Sequence, residues 1–182
     1  MTDLFFIALL PPKEIAEKII VIQKEVAAKY ESSHALKSPP HITLIPPFKC
    51  GNDFKKIIIE PLTDFFNHIA PFVIRLNGFS CFERNRVIFI DVINNVQLEK
   101  TYYELQNFAG KNLPVKFQEK HGQFTPHLTI ASRDLRKGKF REAWNVFKEK
   151  TFSANFSVHS AWLLRHSGTE WIPYCEFTFK KK

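Results

Sequence analysis

The chain has 182 residues, of which 45% are hydrophobic and 24% are charged, and its formal net charge is +8. These values exclude a mostly disordered, collagen-like or coiled-coil protein, and the length favours one compact unit over two ordinary independent domains. No apolar run approaches the roughly 18 residues of a membrane span, and three widely spaced cysteines form neither a disulfide framework nor a zinc site. We therefore expect a cytoplasmic protein without membrane association, and we favour a monomer.

The positive charge is concentrated in the second half of the chain. Residues 1–95 contain 11 basic and 10 acidic side chains, whereas residues 96–182 contain 15 and 8. Five of the basic residues fall between positions 133 and 141, namely Arg133, Arg136, Lys137, Lys139 and Arg141. Such a patch favours a polyanionic partner, although a solvated helix start without any partner fits the charge equally well.

In the first half, apolar residues 4–10 predict a strand that ends at two prolines, and the helical spacing of isoleucines and Val26 predicts a helix over residues 13–29. A short strand over residues 41–45 should end at Pro46 and Pro47, because proline lacks the backbone donor that a sheet needs. A second helix is predicted over residues 53–68. Alternating segments 72–82 and 86–92, separated by a polar turn, should pair as a hairpin.

The second half repeats this order. Helices are predicted over residues 96–109 and 138–150, and strands over residues 127–131, 152–158, 161–166 and 171–179. Strands that follow one another through tight turns imply antiparallel pairing. The predicted fold class is α+β: a single bilobal domain, residues 1–182, with two pseudo-symmetric lobes (approximate halves 1–95 and 96–182). Their antiparallel sheets should line a central cleft, with helices on the outside.

Two five-residue segments stand at corresponding strands of the two halves. Residues 40–44 read Pro-His-Ile-Thr-Leu, and residues 126–130 read Pro-His-Leu-Thr-Ile. Since side chains two apart in a strand share a face, each segment presents one imidazole and one hydroxyl while its apolar residues enter the core. A pseudo-twofold axis between the lobes would direct His41, Thr43, His127 and Thr129 to a common point. The alternative is that both histidines are half-buried and satisfied by backbone carbonyls, with the threonines as ordinary strand residues.

These four groups suit phosphodiester chemistry. Histidine titrates near neutral pH, so one imidazole can accept a proton from the attacking oxygen while the other, protonated, donates one to the leaving oxygen. Threonine hydroxyls can donate hydrogen bonds to phosphate oxygens from a restricted set of rotamers. This acid–base mechanism needs no metal ion.

The paired segments, with histidines 86 positions apart, resemble the 2H phosphoesterase superfamily, which includes bacterial 2′-5′ RNA ligase-like proteins and cyclic phosphodiesterases. The resemblance implies a bilobal α+β fold, His41 and His127 as acid and base, Thr43 and Thr129 on the phosphate, and neither metal nor cofactor. It also implies RNA ends or cyclic nucleotides as substrates, through 2′,3′-cyclic phosphate hydrolysis or cleavage or ligation of 2′-5′ linkages. Residues 45–48, Ile-Pro-Pro-Phe, depart from the usual phenylalanine-rich, glycine-containing continuation, which leaves the substrate open.

Other residues allow a second interpretation. Phe48 is a candidate for stacking on a base, although core packing is favoured, and Arg133 is a candidate for contacting phosphate, although a surface position fits equally well. The remaining histidines, including His34 and His121, are interpreted as structural or exposed, and among the late aromatic residues one, such as Trp171, could form a pocket wall. The alternative function is a non-catalytic RNA- or nucleotide-binding protein that uses the same cleft.

Overall fold

The computed structural model describes residues 3–51, 54–115 and 123–180. Eight strands form two antiparallel sheets: β1 (Asp3–Leu9), β2 (Ile42–Cys50), β3 (Phe72–Phe82), β4 (Val87–Val92), β5 (His127–Ala131), β6 (Ser153–Val158), β7 (Ser160–His166) and β8 (Trp171–Thr178). The strand orders are β2-β1-β7-β8 in the first sheet and β5-β4-β3-β6 in the second. The predicted α+β fold with two antiparallel sheets is confirmed.

In the described part of the chain, four α-helices cover these sheets: α1 (Lys13–Tyr30), α2 (Glu60–Asn67), α3 (Val96–Asn112) and α4 (Lys137–Phe147). A π-helical turn, Lys55–Ile59, leads into α2, and short 3₁₀ turns lie at His34–Lys37 and Glu83–Asn85. Asn95 caps the N-terminus of α3, because its side-chain oxygen accepts a hydrogen bond from the Leu98 amide at 2.9 Å. Such a cap satisfies a backbone amide that has no partner within the helix. Helix α1 packs against β5 and α4, whereas α2 packs against β8 and α3.

Each sheet takes strands from both halves of the sequence. The first sheet combines β1 and β2 with β7 and β8, and the second combines β3 and β4 with β5 and β6. The two lobes therefore do not coincide with residues 1–95 and 96–182. The motif strands β2 and β5 nevertheless occupy equivalent positions, because each is an edge strand of its sheet, and the two strands contact one another.

Strand β2 differs from the sequence prediction at its C-terminal end. It continues through Pro46 and Pro47 to Cys50 instead of ending at the prolines. The register along β1 passes from Ile7↔Ile45 to Phe5↔Phe48, so the proline pair sits in a bulge with one extra residue on β2. An edge position and a bulge both tolerate proline, because no neighbouring strand needs the missing donor.

The two faces of β1 separate the core from the cleft. Phe5, Ile7 and Leu9 belong to a large apolar core that extends through both sheets, whereas Phe6 and Ala8 join Leu164 in a smaller cluster on the opposite face. Trp171 packs against this smaller cluster. The small cluster is therefore the apolar floor beside the motif strands.

Candidate active site

The two motif segments have the side-chain alternation that the sequence predicts. Ile42 and Leu44 in the first segment, and Leu128 and Ile130 in the second, are at most 1% exposed. His41, Thr43, His127 and Thr129 are half-buried. Since β2 and β5 contact one another as edge strands, the polar faces of the two segments lie on adjoining strands of the two lobes.

Both histidine rings are oriented by the same hydrogen bond. His41 Nδ1 lies 2.7 Å from the carbonyl oxygen of Pro39, and His127 Nδ1 lies 2.7 Å from the carbonyl oxygen of Thr125. A carbonyl oxygen only accepts, so Nδ1 carries the hydrogen in each ring. In the neutral form, Nε2 of each imidazole is therefore the basic nitrogen, as proton transfer requires.

A cavity of about 190 Å³ lies beside the first histidine. Four of the predicted site residues line it: His41, Thr43, Thr129 and Arg133. The lining also includes Phe6, Gln23, His34, Ala35, Lys37, Ser38, Pro40, Pro47, Ser132 and Trp171. His127 is not part of this lining, but it lies two residues before Thr129 on β5, close enough for its charge to lower the pKa of His41.

The environment of His41 favours its neutral form. Burial lowers the pKa of His41 to about 4, and the positive charge of His127 acts in the same direction, against an opposing contribution from the Pro39 carbonyl. The ring of Phe6 packs on this imidazole at a centroid distance of 4.8 Å. An apolar neighbour replaces water that would otherwise stabilise the imidazolium, so His41 is neutral at pH 7 in the unliganded protein.

His127 has a comparable aromatic environment. The ring centroid of Phe82 lies 5.1 Å away with the rings perpendicular, and that of Phe89 lies 5.0 Å away. Phe89 pairs with Thr129 across the β4–β5 ladder, and Asp91 pairs with His127. The second histidine is thus positioned by the hairpin strands β3 and β4 as well as by its own strand.

Of the two residues with a second interpretation, one reaches the cavity and one does not. Arg133 is exposed, has a left-handed backbone (φ 51°) and lines the cavity wall. Phe48 is 2% exposed and packs on Phe5 at a centroid distance of 6.2 Å. The suggestion that Phe48 stacks on a base is therefore corrected: its ring faces the core because the bulge at Pro46 and Pro47 sets the phase of β2.

The described residues provide neither a metal cluster nor a membrane helix. Residues 3–51, 54–115 and 123–180 contain no group of three or more His, Cys, Asp or Glu side chains that could hold a metal ion. Among the helices in those ranges, none is long and apolar enough to cross a membrane. His121, which the sequence places before the second motif, lies outside the described residues.

Comparison with known proteins identifies the family. The model of the 2′-5′ RNA ligase superfamily matches residues 11–170, which include both motif segments. The chain belongs to the 2′-5′ RNA ligase superfamily. The resemblance that the motif pair suggested is therefore confirmed at the level of the family.

Relatives within this superfamily match most of the chain. A protein from Geobacillus kaustophilus with the name "Putative phosphoesterase" is 31% identical over 145 residues, which is 78% of this chain and 76% of the relative. The crystal structure of E. coli LigT with 3′-AMP superposes with a TM-score of 0.71 at 16% identity, covering 100% of both chains. TT0787 of Thermus thermophilus gives a TM-score of 0.66 at 17% identity and covers 98% of this chain and 99% of that one. These structural likenesses establish the shared fold.

In this superfamily member, several cavity residues come from outside the motifs. His34 and Lys37 are the first and last residues of a 3₁₀ turn. The loop after the second motif holds this turn, because the Asp134 carboxylate accepts hydrogen bonds from the backbone amides of Ser33 (2.8 Å) and His34 (2.9 Å). The sequence interpretation of His34 as structural or exposed missed its position on the cavity wall. About 100 residues separate the partners, and no local spacing could have indicated the contact.

Gln23 is the second residue that the sequence did not single out. It lies on the buried face of α1, is 2% exposed, and its side-chain amide donates to the Thr129 carbonyl oxygen at 3.0 Å. Its side-chain oxygen, Oε1, is buried and has no hydrogen-bond partner among the residues that the structure describes. A polar side chain at a position where the helical pattern requires an apolar one is a signal that sequence inspection could have used.

Proposed function

We propose that this protein is a metal-independent phosphodiesterase of RNA-type ends, acting on 2′,3′-cyclic phosphates or 2′-5′ linkages by paired histidine catalysis. The observation that carries the proposal is the matched pair of Nδ1-to-carbonyl hydrogen bonds at His41 and His127, each beside a threonine that lines one cavity. Membership of the 2′-5′ RNA ligase superfamily supports phosphodiester chemistry. LigT, which shares the fold, binds 3′-AMP in its crystal structure.

The electrostatic environment of His41 assigns its role, and His127 takes the complementary role. His41, with its pKa lowered to about 4 by burial, is the general base: its Nε2 accepts a proton from the attacking water. His127, in its protonated form, donates a proton to the leaving ribose oxygen. The bond from phosphorus to the water oxygen forms as the bond to the ribose oxygen breaks, and the product is a phosphomonoester with a free hydroxyl.

The threonines and Arg133 are assigned to the phosphate. Hydroxyl groups that two edge strands hold in place can donate hydrogen bonds to the non-bridging oxygens as negative charge develops there, without rearrangement of solvent. Arg133 on the cavity wall adds a charge-assisted donor with a planar geometry that matches phosphate oxygens. This arrangement accounts for the position of the two threonine hydroxyls and the Arg133 guanidinium in the cavity beside an apolar floor.

The test is turnover of a defined panel. Cyclic 2′,3′-nucleotides and 2′-5′- and 3′-5′-linked dinucleotides are incubated with the protein in the presence of a chelator, and the products are separated by chromatography. His41→Ala and His127→Ala should each reduce the rate about a hundredfold or more. His159→Ala, at an exposed histidine outside the cavity, serves as the matched control and should keep full activity.

The outcomes separate the candidate functions. Product formation that survives both histidine replacements, or that requires an added divalent metal, would overturn the proposal. Saturable nucleotide binding without any product would favour the non-catalytic binding protein. The regiochemistry of the product, a 2′- or a 3′-phosphate, identifies the bond that is broken.

A further inference from the structure

A second concave surface lies beside the active site. This basic groove, with a volume of about 610 Å³, is formed by the turn between β3 and β4 together with α4. Four basic side chains line it, Arg84, Arg86, Lys137 and Arg141, with the indole of Trp144 on its wall and one acid, Glu83. Arg84 and Arg86 belong to the hairpin turn, so the folded chain extends the basic cluster that the sequence showed in residues 133–141.

The basic side chains of the groove differ from the rest of the basic cluster in their ion pairing. Within residues 3–51, 54–115 and 123–180, no ion pair involves Arg84, Arg86, Lys137 or Arg141. By contrast, two other members of the sequence cluster are paired: Lys139 lies 2.9 Å from Glu142, and Arg136 lies 3.7 Å from Glu31. The unpaired charges thus converge on one concavity, where they reinforce a positive potential.

Two contacts place the groove near the active site. Arg86 Nε donates to the Leu135 carbonyl oxygen at 3.1 Å, and Leu135 lies two residues after Arg133 of the cavity wall. Phe82, whose ring packs on His127, is followed directly by Glu83 at the groove margin. Arg133 on the cavity wall and Phe82 beside His127 therefore lie close in the chain to groove residues.

We propose that the basic groove binds the single-stranded segment of an RNA whose terminal phosphodiester occupies the cavity. The inference rests on the proposed function and extends it from a nucleotide end to an oligonucleotide. Evenly spaced phosphates match a groove with four unpaired cations, and arginine forks bind phosphate oxygens in pairs. Trp144 presents an aromatic surface to a base, a contact that tolerates any sequence. The favoured substrate is therefore a several-nucleotide RNA end in preference to a free cyclic mononucleotide.

The experiment compares two substrates in two charge-matched variants. Arg84→Gln/Arg141→Gln removes two exposed cations from the groove, and Lys18→Gln/Lys56→Gln removes two exposed cations elsewhere. Arg86 is left intact because its side chain supports the backbone at Leu135. Each protein is assayed with a cyclic mononucleotide and with a single-stranded octanucleotide that ends in a 2′,3′-cyclic phosphate, over a range of salt concentrations.

The groove variant should lose about tenfold or more in kcat/KM for the octanucleotide at low salt, with a salt dependence shallower by roughly 0.7 for each lost phosphate contact. Its kcat/KM for the mononucleotide should stay unchanged, and the lysine variant should match wild type on both substrates. Equal octanucleotide kinetics in the two variants would overturn the groove assignment while leaving the proposed function intact. Failure of wild type to turn over either substrate would instead overturn the proposed function. In that case, octanucleotide binding that is weaker in the groove variant than in wild type would still support the groove.

Discussion

The carboxylate of Asp134 accepts a 2.7 Å hydrogen bond from the hydroxyl of Ser32, which joins the loop after the second motif to the loop before the first. Ser32 is fully buried. Two backbone amides, those of Ser33 and His34, donate to the other carboxylate oxygen. One side chain of the second motif's loop therefore positions the 3₁₀ turn that supplies His34 and Lys37 to the cavity.

Replacing Asp134 by Ala should destabilise the protein and damage the cavity together. The hydroxyl of Ser32 and two amides lose their acceptor, and leaving such groups unsatisfied costs about 1–3 kcal/mol. We expect chemical denaturation to show a lower free energy of unfolding, and nucleotide KM to rise because His34 and Lys37 lose their anchor. Asp64→Ala, at an exposed acid of α2, should change neither quantity. An Asp134→Ala protein with wild-type stability and KM would refute the role of this contact.

Removing the hydroxyls of Thr43 and Thr129 should slow the chemical step. Thr→Val keeps the β-branched shape in the strand but deletes the donor, and the loss of one preorganised donor to a developing charge commonly costs about a hundredfold in kcat. Thr→Ser at the same positions should recover most of the rate, because the hydroxyl is restored. Steady-state kinetics on a cyclic nucleotide distinguish the two. Valine variants with full kcat would remove the threonines from the phosphate site.

Titration of His41 should make stability depend on pH in a defined window. Burial sets the pKa of His41 at about 4 in the folded chain, whereas the unfolded value lies near 6.5. Between these values the unfolded state binds more protons, so the free energy of unfolding falls as pH falls from about 6.5 to about 4, by at most about 1.4 kcal/mol per pH unit. Above pH 6.5 the stability that is lost by this titration at lower pH is fully present.

The measurement is the difference in unfolding free energy between wild type and His41→Asn across this range. Burial also lowers the pKa of His34, but His34 is present in both proteins and cancels in the difference. His159→Asn, at an exposed position, should retain the wild-type slope. If wild type and His41→Asn show parallel profiles, His41 is not held neutral by the fold.

The residues that the sequence predicted are set by local strand geometry, whereas those it missed interact with partners that are distant in the chain. The alternation of His41, Ile42, Thr43 and Leu44 is local, so strand geometry alone assigns their faces. Strands form at both motifs, although β2 continues to Cys50. The partners of Gln23 and Asp134 lie about 100 residues away, and only the packing of the two sheets brings them together. The exchange of strands between lobes has the same cause, since sheet order is a long-range property.

Trp171 should contribute to nucleotide affinity more than to the chemical step. Its indole lines the cavity and packs edge-on against Phe6 at a centroid distance of 4.7 Å, and Phe6 in turn contacts His41. Stacking of a base on an aromatic ring is worth about 1–3 kcal/mol, so Trp171→Ala should raise KM for a cyclic nucleotide about tenfold or more with a smaller change in kcat. Trp171→Phe keeps an aromatic face and should recover most of the affinity. A kcat loss larger than the KM change would show that Trp171 acts instead by supporting Phe6 and the position of His41.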